Sequence, residues 1–209
     1  MQICRHYVIN MNKYSKILEI AAKDGLVTPQ DVIRHDIPRQ YIYQLHRSGK
    51  LEKVGRGIFK LPSKELSEDI MLLEMAKKMP GVPLCLLSAL RFHDMTTQNP
   101  FQIWIAIHHK DRSPNLNLPL RIIRMTGDAL KEGVEEHLKE NIKITVFNPA
   151  KTVADCFKFR NKIGLDVALE ALREYKEQKK GTVDMLWKYS KIDRVQKTIR
   201  PYIEAVYET

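Results

Sequence analysis

The sequence has few cysteines and no long apolar segment, and both features exclude classes of protein. Its three cysteines, Cys4, Cys85 and Cys156, are odd in number, lie far apart and form no C-x-x-C pair. This pattern argues against a disulfide framework and favours reduced thiols. No apolar run approaches the roughly 18–20 residues of a membrane span, and residues 1–10 lack the apolar core of a signal peptide. We therefore expect a cytoplasmic protein that does not contact the membrane, with Met11 as a plausible true start.

The residue patterns of metal and catalytic sites are also missing from the sequence. No Cys/His spacing suits zinc, no glycine-rich phosphate loop occurs, and no two acidic residues stand at positions i and i+2, as a nucleotidyltransferase-type metal pair would need. Two Glu-x-Lys matches, at Glu174 and Glu177, resemble a nuclease pattern. They lie in a segment dense in both charges, which favours a solvated, salt-bridged helix end. We therefore expect that the protein is not an enzyme and binds neither a metal nor a cofactor. A nuclease is the least favoured alternative.

Positive charge is what the sequence has in excess. It holds 35 Lys and Arg against 25 Asp and Glu, a net charge of +10. Residues 1–62 contain 11 of these cations and 5 of the acids, so less than a third of the chain carries more than half of the excess. Such an excess suits a polyanionic partner, because each phosphate contact releases condensed counterions. The alternative is a generic basic protein whose charge serves solubility.

The N-terminal part carries the signals of three helices. Apolar side chains recur at the spacing of an amphipathic helix over residues 14–21, and Gly25 fits as its end. Residues 28–31 place threonine, proline and aspartate in the order of a capping box. A third helix is predicted over residues 38–48, ended by a glycine.

The segment after the third helix predicts a β-hairpin. Two short strand-like runs, residues 51–54 and 58–61, flank the glycine-arginine-glycine tip at residues 55–57. Three helices followed by a basic hairpin are the pattern of a winged helix-turn-helix. We predict this DNA-binding domain over residues 12–62, preceded by a tail over residues 1–11.

One face of the third predicted helix is suited to DNA. Arginine and glutamine side chains recognise guanine and adenine in the major groove, and a wing touches the backbone or the minor groove. We expect Arg39, Gln40, Tyr43, Gln44 and Arg47 to enter the major groove, with Lys53 and Arg56 of the wing on phosphates. The alternative for a polar helix face is a solvated surface, and a winged helix can also serve as a protein-interaction module.

The sequence pattern of residues 63–209 predicts a second domain, in which helices cover a small mixed sheet. Period-two patterns predict strands over residues 101–107, 120–125 and 142–147. Helices are predicted over residues 83–93, from Asn148 and Pro149 to about Arg160, and in two or three segments beyond, of which the last would run from Ile192 to Val206. The whole chain is therefore expected to be α+β.

Two long blocks of this second part resemble a known family. Residues 86–100, LLSALRFHDMTTQNP, and residues 148–166, NPAKTVADCFKFRNKIGLD, are similar to blocks of the AbiEi antitoxins of type IV toxin–antitoxin systems, which act in bacterial abortive infection, a form of phage defence. Residues 201–205, PYIEA, close the match, and the resemblance covers roughly residues 12–209. The N-terminal part resembles the winged-helix module of that family.

The resemblance implies a two-part protein. Its winged helix would repress its own operon by binding inverted repeats in the promoter, and its C-terminal domain would neutralise a nucleotidyltransferase-like toxin, without a stable complex being required. We expect a monomer in solution that binds DNA in pairs. The alternative is a stand-alone winged-helix regulator without a toxin.

A second basic cluster lies within the block over residues 148–166. Its members are Lys151, Lys158, Arg160 and Lys162, and we consider it a possible antitoxin surface that could face nucleic acid or the toxin. The alternative is that the interleaved apolar side chains make this segment mainly a core element with a solvated edge.

Overall fold

A computed structural model describes residues 2–63 and 70–207, with side chains described from residue 12 onward. The chain divides into two compact units. The first comprises residues 1–80 with 138–143, and the second comprises residues 81–137 with 144–209. The fold is α+β, as the sequence predicts. In the described part of the chain, no helix is both long and apolar enough to span a bilayer.

The first unit contains three helices, a hairpin and a fourth helix. Its elements are α1 (Gln2–Asp24), α2 (Pro29–Arg34), α3 (Gln40–Arg47), β1 (Glu52–Gly55), β2 (Ile58–Lys60) and α4 (Ile70–Lys78). The strands β1 and β2 pair antiparallel. This order of elements confirms the predicted winged helix-turn-helix. The unit extends past the predicted domain end at residue 62 and includes α4.

Helix α1 begins at Gln2, so residues 2–11, which are predicted to form a tail, have helical backbone. The physical reason is that neither proline nor glycine occurs between Gln2 and Asp24, and nothing in the sequence interrupts the hydrogen-bond ladder. The helix ends where predicted, at Gly25, whose φ of 76° is accessible to glycine without a steric penalty.

Helix α2 starts with the predicted capping box. The Thr28 side chain accepts from the Asp31 N–H at 3.2 Å, and the Asp31 carboxylate accepts from the Thr28 N–H at 2.8 Å. Pro29 occupies the first helical position. Val27, just before the cap, exchanges two backbone hydrogen bonds with Phe59 of β2, at 2.8 and 3.0 Å. The residue before the cap therefore ties the helix-turn-helix to the wing.

The core of the first unit is built from one apolar stripe of each helix and from the wing. Its fully buried members include Ile17 and Ala21 of α1, Val32 of α2, and Ile42 of α3. Phe59 of β2 closes this cluster. These are the helix faces that the apolar spacing indicates, so the opposite face of α3 is left to solvent.

Lys77 of α4 connects three segments of this unit. Its Nζ donates to Asp24 at 3.3 Å, to the Leu26 carbonyl at 2.5 Å and to Asp31 at 2.9 Å, and its side chain is only 7% exposed. One turn earlier, Glu74 lies over Gly55 of the wing, where a Cβ atom would come within 2.8 Å of a Glu74 carboxylate oxygen. Helix α4 therefore packs against both the helix-turn-helix and the wing.

The second unit is richer in helices. Its elements are α5 (Leu86–Phe92), β3 (Ile103–His108), β4 (Leu120–Met125), α6 (Asp128–Lys131), β5 (Val134–Lys139), β6 (Ile142–Phe147), α7 (Pro149–Lys158), α8 (Arg160–Ile163), α9 (Leu165–Glu177), α10 (Val183–Ile192) and α11 (Gln196–Tyr207), with residues 138–143 of the β5–β6 pair grouped in the first unit. Strands β3 and β4 pair in parallel. Helix α7 packs against α5, α9, α10 and α11 and is the centre of the core.

Several predicted bounds agree with these elements and others do not. Strands β4 and β6 span the predicted residues, and α7 begins with the predicted Asn148 cap and Pro149. Strand β5 was not predicted. Ile192 ends α10, so it does not belong to the last helix, because the chain turns at Asp193 and at Arg194, which has a φ of 59°.

The predicted helix over residues 83–93 is wrong in its first turn. Residues 83–85 are extended and lie between β3 and β6: the Leu84 N–H donates to the Thr145 carbonyl at 2.9 Å, and the Cys85 N–H donates to the Trp104 carbonyl at 3.0 Å. Helix α5 therefore begins only at Leu86. A short buried apolar run fits a strand and a helix equally well, and here backbone partners far along the chain decide.

Replacing Lys77 by methionine should destabilise the first unit. The change leaves two carboxylates and a carbonyl without their shared donor, and hydrogen bonds to charged groups contribute about 1.5–3 kcal/mol each in such settings. We expect a loss of that order in the free energy of unfolding, measured by urea denaturation. Lys16→Met, which removes only a half-exposed pair with Glu19, is the matched control. Equal stability of the two variants would contradict this account of α4.

The same contact predicts a pH dependence of stability. Burial raises the pKa of Asp31, but the hydrogen bond and charge of Lys77, together with the bonds from Thr28, outweigh burial and lower the pKa below its ordinary value. A carboxyl of this kind stabilises the fold above its ordinary pKa of about 3.9, and the contribution is lost as pH falls through the folded-state pKa. The stability deficit of Asp31→Asn should thus be larger at neutral pH than in acid. A deficit that does not shrink in acid would contradict this.

Candidate nucleic-acid interface

Helix α3 separates an apolar face from a polar one. Ile42 and Leu45 are buried against the rest of the first unit. The opposite face is exposed and carries the five predicted groove residues, Arg39, Gln40, Tyr43, Gln44 and Arg47. The structure therefore brings all five together on one surface, which we call the α3 face.

Local sequence explains where this helix starts and stops. A sharp turn at Asp36, with φ of 56°, and the buried side chain of Ile37 end the preceding segment. Arg39 is the N-cap residue and Ser48 the C-cap residue. Gly49 follows with a φ of 73°, so the chain can leave the helix without steric strain. Helix α3 is therefore short and rigidly bounded.

The α3 face is flanked by α1 on one side and by the wing on the other. The Tyr14 hydroxyl of α1 donates to Gln44 Oε1 at 2.6 Å. The Tyr43 ring lies edge-on to Phe59 of β2, with centroids 5.7 Å apart. These contacts hold two of the five groove residues at the margins, with Gln40 and Arg47 between them by helical spacing.

The wing presents two of its cations to solvent. Lys53 and Arg56 are both exposed, and Arg56 lies at the tip between Gly55 and Gly57. The acid of the hairpin, Glu52, forms an ion pair with Lys60 at 3.1 Å, so its charge is compensated within the wing. The predicted wing residues therefore form a positively charged edge.

The structure corrects the prediction that the second basic cluster, within residues 148–166, lies on a surface. Lys151 is fully buried, forming ion pairs with Asp155 and, at 3.2 Å, with Asp193. It is not part of any antitoxin surface, because its position on α7 faces α10 and the core. Lys158 pairs with Asp193 at 3.1 Å and is one third exposed. The alternative prediction, a core element with a solvated edge, describes this segment.

The other two members of that cluster also have partners within the chain. Arg160 donates to the Phe157 carbonyl at 2.8 Å. Lys162 is exposed and lies over the Phe159 ring, 5.5 Å from its centroid. The possible antitoxin surface is thus reduced to the outward edges of Lys158, Arg160 and Lys162, and stays a prediction.

Electrostatics keep Lys151 charged inside the protein. Burial lowers the pKa of Lys151, but Asp155 and Asp193 outweigh this and raise the pKa. Burial, aided by Asp193, raises the pKa of Asp155 against the effect of Lys151. The spacing of Lys151 and Asp155, four residues apart on a helix, could have indicated this pair from the sequence. Nothing local to α7 indicated Asp193.

Glu174 and Lys176 of the Glu-x-Lys segment have separate hydrogen-bond partners. Glu174 accepts from Gln178 at 2.6 Å, and Lys176 donates to the Val206 carbonyl of α11. Over residues 12–63 and 70–207, no group of three or more His, Cys, Asp or Glu side chains is placed to hold a metal ion.

Comparison with known proteins agrees with the architecture of the first unit, a winged helix-turn-helix. Residues 15–62 match the family described as transcriptional regulator, AbiEi antitoxin. This segment covers the predicted groove residues and the wing, and it confirms the resemblance for the N-terminal region. No curated protein matches the chain.

A solved structure resembles the chain over most of its length. It is the crystal structure of the RV2827C protein from Mycobacterium tuberculosis, with a TM-score of 0.52 and 15% sequence identity. The alignment covers 93% of this chain and 80% of that one. At this identity the likeness shows the fold alone.

The buried position of Lys151 leads to a testable difference within the second cluster. Lys151→Met leaves Asp155 and Asp193 without their buried cation and should lower the free energy of unfolding by about 3–5 kcal/mol. Lys162→Met, at an exposed position of the same segment, should leave stability unchanged. Chemical denaturation of both variants measures the difference. If Lys151→Met were as stable as the natural protein, the ion pairs would not support the core.

Proposed function

We propose that this protein is an antitoxin of a type IV system that represses its own operon by binding inverted repeats in promoter DNA. The observation that carries the proposal is the α3 face, with five polar or cationic side chains exposed together beside a cationic wing. The match of residues 15–62 to a family of transcriptional regulators and AbiEi antitoxins supports it.

The α3 face suits the major groove of DNA. A groove about 12 Å wide admits one α-helix, and its base edges present acceptors to arginine and paired donors and acceptors to glutamine. In the proposed complex, Arg47 and Gln44 contact base edges, and Gln40, Tyr43 and Arg39 complete the contact along the groove. Helix α3 then serves as the recognition helix.

The wing supplies contacts that do not depend on sequence. Lys53 and Arg56 are placed to reach phosphates beside the groove, and their binding releases counterions. The excess positive charge of residues 1–62 works in the same direction. Two monomers bound side by side satisfy an inverted repeat, so a dimer in solution is not required.

The second unit is proposed to neutralise a nucleotidyltransferase-like toxin. The support is the resemblance of residues 86–100 and 148–166 to blocks of the antitoxin family. Residues 150–157 are all buried, so this part of the second block belongs to the core of the unit and not to a contact surface. Within this block, the candidates for contact with the toxin are the outward edges of Lys158, Arg160 and Lys162.

A stand-alone regulator is the second candidate. The observation in its favour is that the family match ends at residue 62, with the DNA-binding segment. The two candidates differ in one experiment: the neighbouring reading frames are expressed alone and together with this protein. If a neighbouring protein is toxic alone and this protein relieves the toxicity, the result supports the antitoxin function. If no neighbouring protein is toxic, the result supports a stand-alone regulator.

DNA binding is tested by gel shift and footprinting on the DNA upstream of the reading frame. We expect protection of paired repeats, with an affinity that falls steeply as salt rises. In the double variant Arg47→Ala/Arg56→Ala the protection should be lost. An equal affinity of the natural protein for random DNA would contradict the proposed operator binding.

The roles of the α3 face and the wing are separated by single variants. Arg56→Ala should weaken binding to all sequences and reduce the slope of affinity against salt by about 1, because one phosphate contact is lost. Gln44→Ala should instead change the preference among sequences. Identical losses for both variants on specific and on random DNA would show that these roles are assigned wrongly.

A further inference from the structure

Gln44 is held by a hydrogen bond from another helix. The Tyr14 hydroxyl donates to Gln44 Oε1 at 2.6 Å, which links α1 to the α3 face. The Tyr14 ring is itself fixed, lying edge-on to Tyr41 with centroids 5.2 Å apart. Gln44 is exposed while Tyr14 is half-buried. The hydroxyl is therefore placed by packing, and it orients the exposed glutamine side chain.

We infer that Tyr14 is a positioning residue that determines the base preference of Gln44, an inference that rests on the proposed DNA binding. An unrestrained glutamine amide turns freely and offers either its oxygen or its nitrogen to a base. The bond to Tyr14 selects the orientation in which Oε1 faces α1.

The restrained amide still has the groups that an adenine needs. Its oxygen has two lone pairs, of which Tyr14 uses one, and its nitrogen carries two donor hydrogens. One acceptor and one donor suffice for the paired contact with adenine N6 and N7 in the major groove. Fixing the amide in advance removes the flipped state and reduces the entropy lost on binding. Tyr14 therefore increases discrimination at one base pair without touching DNA.

The test compares the full-length natural protein with Tyr14→Phe, Gln44→Ala and the double variant. Tyr14→Phe keeps the ring and its packing and removes only the hydroxyl. Binding to operator variants changed at one base pair at a time gives the preference at each position. We expect Tyr14→Phe to reduce the preference about fivefold at the position that Gln44→Ala affects, the equivalent of one hydrogen bond. Other positions, random-DNA affinity and thermal stability should be unchanged.

The double variant separates positioning from a general structural effect. If Tyr14 acts through Gln44, Tyr14→Phe has no further effect on sequence preference in the Gln44→Ala background. Tyr202→Phe, which removes a tyrosine hydroxyl from α11, is the control for hydroxyl loss and should bind like the natural protein.

The remaining outcomes overturn either the inference or the function beneath it. An operator preference that Tyr14→Phe leaves unchanged, or that falls equally at all positions together with stability, overturns the role of Tyr14. An operator preference that Gln44→Ala does not alter overturns it as well. A natural protein that prefers no DNA sequence overturns the proposed function itself.

Discussion

One carboxylate oxygen holds the first unit together. Asp31 Oδ2 accepts from the Thr28 N–H, from the Thr28 hydroxyl and from Lys77 Nζ, all within 2.9 Å. This oxygen thus fixes the start of α2 and attaches α4 to the turn that precedes α2. Val27, the residue before Thr28, is bonded to Phe59, so the wing is attached directly beside this junction. This junction therefore lies where the helix-turn-helix, the wing and α4 meet.

The elements that the sequence predicts well are those determined by neighbouring residues. The capping box needs only residues 28–31, and the α3 face follows from helical spacing once the apolar positions are known. Strand β5 escaped prediction because half of Val134–Lys139 is charged and most of it is exposed, without the alternation of a half-buried strand. Its conformation depends on pairing with β6, which a local pattern does not contain.

Longer-range partners explain the remaining differences. Lysine usually lies at the surface. The burial of Lys151 depends on Asp193, which lies at the end of α10, far along the chain. Tyr14 has the spacing of a core residue, and only the packing of α1 beside α3 shows that its hydroxyl reaches Gln44. In both cases the local sequence contains no signal for the partner residue.

The extended segment at residues 83–85 has a consequence for how the protein is made. Leu84 is bonded to Thr145 and Phe147, and its neighbours to Trp104 and Ala106. On a ribosome that releases the chain from its N-terminus, these bonds cannot close until β6 has emerged, whereas the helices and hairpin of residues 2–63 are complete much earlier. Contacts so distant in sequence also slow folding. The winged helix can thus assemble first, while the second unit waits for its last strand.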